Sequence, residues 1–150
     1  MEYSCSERID LPRDRVIALF DDPDALPKWQ RGFVSMEHLE GTPGQDGART
    51  RLTYRMGRGD VVMIETIERR ALPEEIDLVF EADKVWNRVE NRFTQPTSDS
   101  TLWSMHCEFR CSGLVRLMAL VMPGMFRRQT RQTMADFKAF AERGETVPPT

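Results

Sequence analysis

The sequence predicts an α+β fold: a seven-stranded antiparallel sheet wrapped around one long carboxy-terminal helix, with two short helices after the first strand. Two observations carry this prediction. Ala48, Thr50, Leu52, Tyr54 and Met56 alternate with Arg49, Arg51, Thr53 and Arg55. That period of two marks a strand with one buried and one wet face. Gly113 to Arg143 instead carry a helical pattern, interrupted once at Pro123-Gly124, and follow a region that reads almost entirely as strands. The only large partner on which such a helix can bury its apolar stripe is the sheet.

The elements follow in order. Glu2 to Asp10 alternates as a strand. Pro12 opens a short helix, Arg13 to Phe20, because the first helical turn tolerates a residue without an N–H. Asp22-Pro23 repeats the signal, with Asp22 as N-cap of a second short helix that ends near Trp29. Phe33 to Leu39 is a strand, and the glycine-rich stretch Gly41 to Gly47 is a loop. The strand Ala48 to Met56 turns at Gly57-Arg58-Gly59-Asp60 into Val61 to Arg70. Ile76 to Ala82, Val85 to Gln95 and Thr101 to Cys111 complete the sheet. Pro123 removes a backbone donor and Gly124 adds freedom, so the last helix should kink or restart there. Leu114 to Met122 would then sit over one end of the space between helix and sheet, and Met125 to Phe140 along it. The expected organisation is one domain over residues 1–143 and a flexible tail over 144–150.

Composition narrows the function. At 150 residues the chain can build a core without staples. A net charge of −3 with 30% charged residues gives no general drive toward nucleic acid or an anionic membrane. Arg49, Arg51 and Arg55, and again Arg127, Arg128 and Arg131, read as solvated faces. The amino terminus has neither the basic nor the apolar region of a signal peptide. The most apolar run, Leu114 to Met125, contains Arg116 and Pro123 and is about half the length of a bilayer span, so no integral membrane segment is read. Three cysteines, an odd number, read as reduced small hydrophobes of a cytoplasmic protein. His38 and His106 lack neighbouring ligands, so no metal site is expected. No cofactor is implied either, since Gly57-x-Gly59 lacks the third glycine of a phosphate loop. Homodimerisation is left open.

Two stretches, LPRDRVIALFDDPDALPKWQRGF near the start and PGMFRRQTRQTMADFKAFAE near the end, carry a resemblance. They resemble the START-like polyketide cyclase/dehydrase and lipid-transport superfamily (SRPBCC), over roughly Glu2 to Glu142. The resemblance implies the helix-grip fold, in which an antiparallel sheet wraps the carboxy-terminal helix around a cavity. It implies no catalytic residue. The superfamily spans cyclases, hydrolases, lipid carriers, hormone receptors and co-chaperones, and a shared fold does not assign activity.

Polar residues that alternation turns inward are the candidates for chemistry. With Arg58-Gly59 as a two-residue turn, Met56 faces Val61, Tyr54 faces Met63 and Leu52 faces Glu65, which sends Glu65 indoors with Met63 and Ile67. A turn one residue longer would put Val62 and Ile64 inside instead. A carboxyl indoors has its pKa raised by desolvation and suits general acid–base work. The alternative is a carboxylate paired with an arginine or placed at the sheet rim. Tyr54 adds a phenol that can bind a ligand or cap a buried polar group. On the sixth strand, Val85, Asn87, Val89, Asn91 and Phe93 form the inner set, and the two asparagines can bond a ligand or each other. Trp103, Met105, Cys107 and Phe109 are the apolar set of the seventh. On the helix, Met122, Met125 and Phe126 are expected contacts, since thioethers suit a wall that accepts varied apolar shapes, with ordinary core packing as the alternative. Gln129 and Thr133 fit either a ligand contact or a solvated flank.

Three functions are compatible with this pattern. The favoured one is binding or transport of a small hydrophobic molecule such as a lipid, polyketide or aromatic metabolite. The second is a cyclase/dehydratase-type enzyme with Glu65 or Tyr54 moving a proton. The third is a protein-interaction module acting through the last helix. Catalysis usually needs a well-placed pair of ionisable groups, and few face the expected cavity.

Overall fold

The structure is a computed structural model and describes residues 1–150. The strands and helices are β1 (Glu2–Ile9), α1 (Arg13–Phe20), a 3-10 turn (Pro23–Ala25) running into α2 (Leu26–Trp29), β2 (Phe33–Glu40), β3 (Arg49–Met56), β4 (Gly59–Ala71), β5 (Glu75–Ala82), β6 (Val85–Thr97), β7 (Ser100–Cys111), α3 (Gly113–Val121) and α4 (Met125–Arg143). The sheet has seven strands in the order β1-β7-β6-β5-β4-β3-β2, every pair antiparallel. Asp22 caps the 3-10 turn, its carboxylate accepting from the Asp24 N–H at 3.0 Å. No helix is long and apolar enough to cross a membrane.

One turn lies one residue from its expected place, which moves the pairing of β3 with β4 by two residues. Gly57 and Arg58 form the β3–β4 loop, with Met56 opposite Gly59. Gly57 takes φ +64°, a value that glycine adopts without a Cβ penalty. Tyr54 therefore meets Val61, Leu52 meets Met63 and Thr50 meets Glu65. The displacement is even, so the inward face is unchanged and Glu65 stays inside. The alternating arginines point outward as expected, Arg49 to Glu40, Arg51 to Glu37 and Arg55 to Asp60. His106 also lies on the outer face, bonded to Ser4 across β1–β7 at 2.9 Å.

The last helix is two helices. α3 ends at Val121, and Gly124, at φ +87°, precedes the first turn of α4. The tail begins bonded to the last turn of α4 through the Gly144 and Glu145 N–H groups, and further on Val147 is buried and its N–H donates to the Lys28 carbonyl at 2.9 Å. All three cysteines are free thiols.

The core is concentrated at one end of the sheet. Phe20, Trp29, Phe93, Trp103 and Phe137 bring together α1, α2, β6, β7 and α4, with ring centroids 4.9 to 6.4 Å apart. Most of these pairs are edge-to-face, the arrangement that ring quadrupoles favour. Trp29 Nε1 is buried there without a partner, whereas the Asn91 amide beside the rings is bonded at both ends. Asn91 accepts from Trp103 Nε1 at 3.0 Å and donates to the Ile76 carbonyl at 3.3 Å.

Candidate functional site

Directly opposed residues on neighbouring strands share a face, so the pairing defines rows across the inner side of the sheet. One row is Ile67, Leu78, Val89, Cys107 and Tyr3, and all five are buried. The next row toward the β3–β4 hairpin is Thr50, Glu65, Phe80, Asn87 and Phe109. In this row every residue except Thr50 is only half-buried. Met63, Ala82, Val85 and Cys111, one step further, are half-buried as well. The inner side is thus packed shut at the end covered by α1 and α2 and open at the hairpin end. Between this end and α4 lies a groove that side chains leave partly unfilled.

The helix explains the division. α4 delivers Met134 and Phe137 to the closed end, where both are buried. To the open end it delivers Phe126, stacked on Phe109 at 4.3 Å, and Thr130, bonded to the Tyr3 hydroxyl at 2.7 Å. Both contacts lie on the β1–β7 side, so the walls built from β3 to β6 keep a free surface. Beyond the row of Glu65, an open hollow of about 510 Å³ straddles the rim of the sheet at the β5–β6 turn, lined by Ala82, Val85, Cys111 and Ser112 together with the outward Glu81, Lys84, Trp86 and Arg110.

Three polar side chains belong to the groove. Desolvation alone pushes the Glu65 carboxyl up from 4.5 to about 7. No arginine pairs with it, so the alternative of a neutralised carboxylate does not hold. Near neutral pH it is divided between acid and carboxylate, and it can donate or accept a proton or a hydrogen bond. Asn87, two strands away, has a buried Oδ1 with no hydrogen-bond partner. A buried acceptor left unpaired costs about 1–3 kcal/mol. Tyr54 donates its hydroxyl to Gln30 Oε1 and sets its ring edge-on to Phe33 at 5.8 Å. Burial, and then the nearby Glu65 charge, push the Tyr54 phenol well above its ordinary value. It is therefore a weaker acid than a free tyrosine, and its hydroxyl is already engaged.

The other expected contacts divide by place. Met63 lies in the groove, and Phe126 meets its wall through Phe109. Met125 is half-buried one residue earlier on α4. Leu52 is buried behind Met63. Ile67, Val89 and Trp103 belong to the closed core, as does Asn91, whose polar atoms the protein already satisfies. Met105 sits between Asn91 and Cys5 and packs against that core. Met56 and Met122 are exposed, because the hairpin tip and the α3–α4 junction carry them past the groove. Gln129 is exposed, and Thr133, half-buried, donates back to the Gln129 carbonyl at 3.0 Å. Sequence reasoning placed Phe109 on the apolar face of its strand and missed Phe80 and Gln30. Phe80 follows from the strand alternation once the register is known. Gln30 has no local signal, since a fold-level contact brings it to Tyr54.

Comparison with known proteins agrees with this architecture. Residues 2–142 match the sequence profile of the family described as polyketide cyclase/dehydrase and lipid transport. No curated protein matches the chain. Among solved structures, the Zhui aromatase/cyclase from a Streptomyces species is similar at 13% identity and a TM-score of 0.74, over 98% of this chain and 99% of that one. Ara h 8.0201 is similar at 10% identity and a TM-score of 0.74, over 94% and 97%. A protein from Thermus thermophilus is similar at 14% identity and a TM-score of 0.75, over 94% and 97%. At such identities the likeness establishes the fold, and the profile match over nearly the whole length establishes the family: the chain belongs to the polyketide cyclase/dehydrase and lipid-transport family.

Proposed function

We propose that the protein binds a small, largely apolar molecule that carries at least one hydrogen-bond donor, in the groove between the hairpin end of the sheet and the start of α4. The observation that carries this reading is the row Glu65, Phe80, Asn87 and Phe109. Two aromatic rings supply the apolar wall. The orphaned Asn87 Oδ1 supplies an acceptor whose burial cost a ligand hydroxyl or N–H would offset. Such a balance of apolar surface and few polar groups is typical of small-molecule sites.

Thermal unfolding in the presence of paired aromatic compounds, with and without a hydroxyl, tests the reading. Ligand at about 100 times its Kd adds about 2.7 kcal/mol. For a domain of this size that is a rise of roughly 5–10 °C in Tm. The hydroxylated member of a pair should give the larger rise, and Asn87→Leu should abolish the difference. A panel in which no apolar compound moves Tm would refute the proposal. Tryptophan emission is a poor substitute, because Trp29 and Trp103 lie in the closed core and Trp86 lies on the outer face under Arg110.

A second reading has one specific observation in its favour. A single unpaired carboxyl that titrates near neutrality and faces a groove is equipped for proton transfer. The same groove would then hold a substrate of the cyclisation or dehydration class. Glu65→Gln keeps the shape and should lower kcat about 100-fold on such a substrate. Unchanged turnover would remove the enzyme reading and leave the binding one.

A further inference from the structure

α3 is apolar on all sides and covered on one. Its sequence, Gly113 to Val121, contains a single polar side chain, Arg116. None of its residues is buried. Val115 and Ala119 are the two that turn partly inward, and the helix packs mainly on β7. Leu114, Leu120 and Val121 are 74%, 72% and 72% exposed, and Leu117, Met118 and Met122 about half exposed. At about 100° per residue, Leu117 and Leu120 project opposite the Val115–Ala119 side. A lid that closed on the groove could bury one side of this helix only and would leave the opposite leucines in water. An all-apolar helix needs an apolar environment outside the fold.

Charge identifies that environment. From Phe109 to Ala135 the chain has five arginines and no acidic residue, in a protein whose net charge is −3. Arg110 pairs with Glu108. Arg116, Arg128 and Arg131 are exposed, Arg127 lies over the Tyr3 ring, and none of these four belongs to an ion pair. Read as solvated, the cluster has no particular partner. Set beside an exposed apolar helix, it supplies the second half of an interfacial anchor. Leucine, valine and methionine side chains enter the acyl boundary while arginines meet anionic headgroups.

We propose that α3, flanked by Arg116, Arg128 and Arg131, docks the protein on the surface of an anionic lipid bilayer. α3 follows Ser112 at the hollow beside the β5–β6 turn, so docking brings that rim of the sheet to the lipid. The docking does not rest on what the groove holds, and vesicles alone test it. Flotation with vesicles of equimolar phosphatidylcholine and phosphatidylglycerol should carry the protein, and phosphatidylcholine alone should carry far less. Leu117→Ser with Leu120→Ser should weaken partitioning roughly tenfold or more while leaving Tm unchanged, since both positions are exposed. Arg128→Gln with Arg131→Gln should weaken it by a similar factor, as should raised salt. No partitioning on either vesicle overturns the proposal, and so does partitioning that both double variants retain. A concentration-dependent dimer in sedimentation velocity, broken by the leucine variant in a protein that ignores vesicles, also overturns it and assigns the face to self-association.

Discussion

Glu65 offers the sharpest quantitative test of the groove. Its carboxyl is raised from 4.5 to about 7 by desolvation. A carboxyl with a raised folded-state pKa prefers to stay protonated in the fold. Its contribution to stability is fully present below about pH 4.5 and is lost as the pH rises toward about 7. Each pH unit across that window is worth about 1.4 kcal/mol, so the ionised group costs the fold about 3 kcal/mol at alkaline pH. Water entering the groove sets this as an upper figure. Glu65→Gln removes the titration while keeping the shape. Urea unfolding of both proteins should give similar stabilities near about pH 4, and a variant more stable by about 2–3 kcal/mol near about pH 8.5. A stability difference that stays flat across this range would refute the desolvated, unpaired state of Glu65. The proton-transfer reading would fall with it.

Two further outcomes separate structural from functional roles. Asn91→Leu should cost about 2–4 kcal/mol in urea unfolding, because it strands the Trp103 N–H and the Ile76 carbonyl, and should leave ligand-induced Tm shifts intact. Backbone amides from Leu117 to Phe126 should exchange faster than those from Met134 to Phe140, since α3 buries no side chain while α4 buries Met134 and Phe137. Slowing of that first segment by a groove ligand would mark the α3–α4 junction as the ligand gate, and uniform strong protection would exclude it.

The sheet was legible because alternation and turn residues are local. Even the misplaced β3–β4 turn cost nothing at the site, since a shift of two residues keeps each side chain on its face. Glu65 could therefore be placed indoors from the sequence. The role of Asn91 could not, because its partners come from β5 and β7 and appear only when three strands are in register. The same limit applies to Asn87. Two asparagines four residues apart on one face look equivalent in sequence, yet one lands beside an indole N–H and the other does not. The apolar pattern of α3 read as a helix that covers the cavity. Hydrophobicity alone does not say whether a helix turns its apolar surface toward its own sheet or away from it.

The boundary between the row of Ile67 and the row of Glu65 has a consequence for how this chain can change. On one side, a substitution disturbs a packed aromatic assembly and costs about 2–5 kcal/mol, a large part of the total stability of a domain. On the other, side chains such as Phe80, Asn87 and Met63 keep a free surface and tolerate replacement more cheaply. Substitutions can therefore accumulate at the hairpin end while the opposite end holds the architecture fixed.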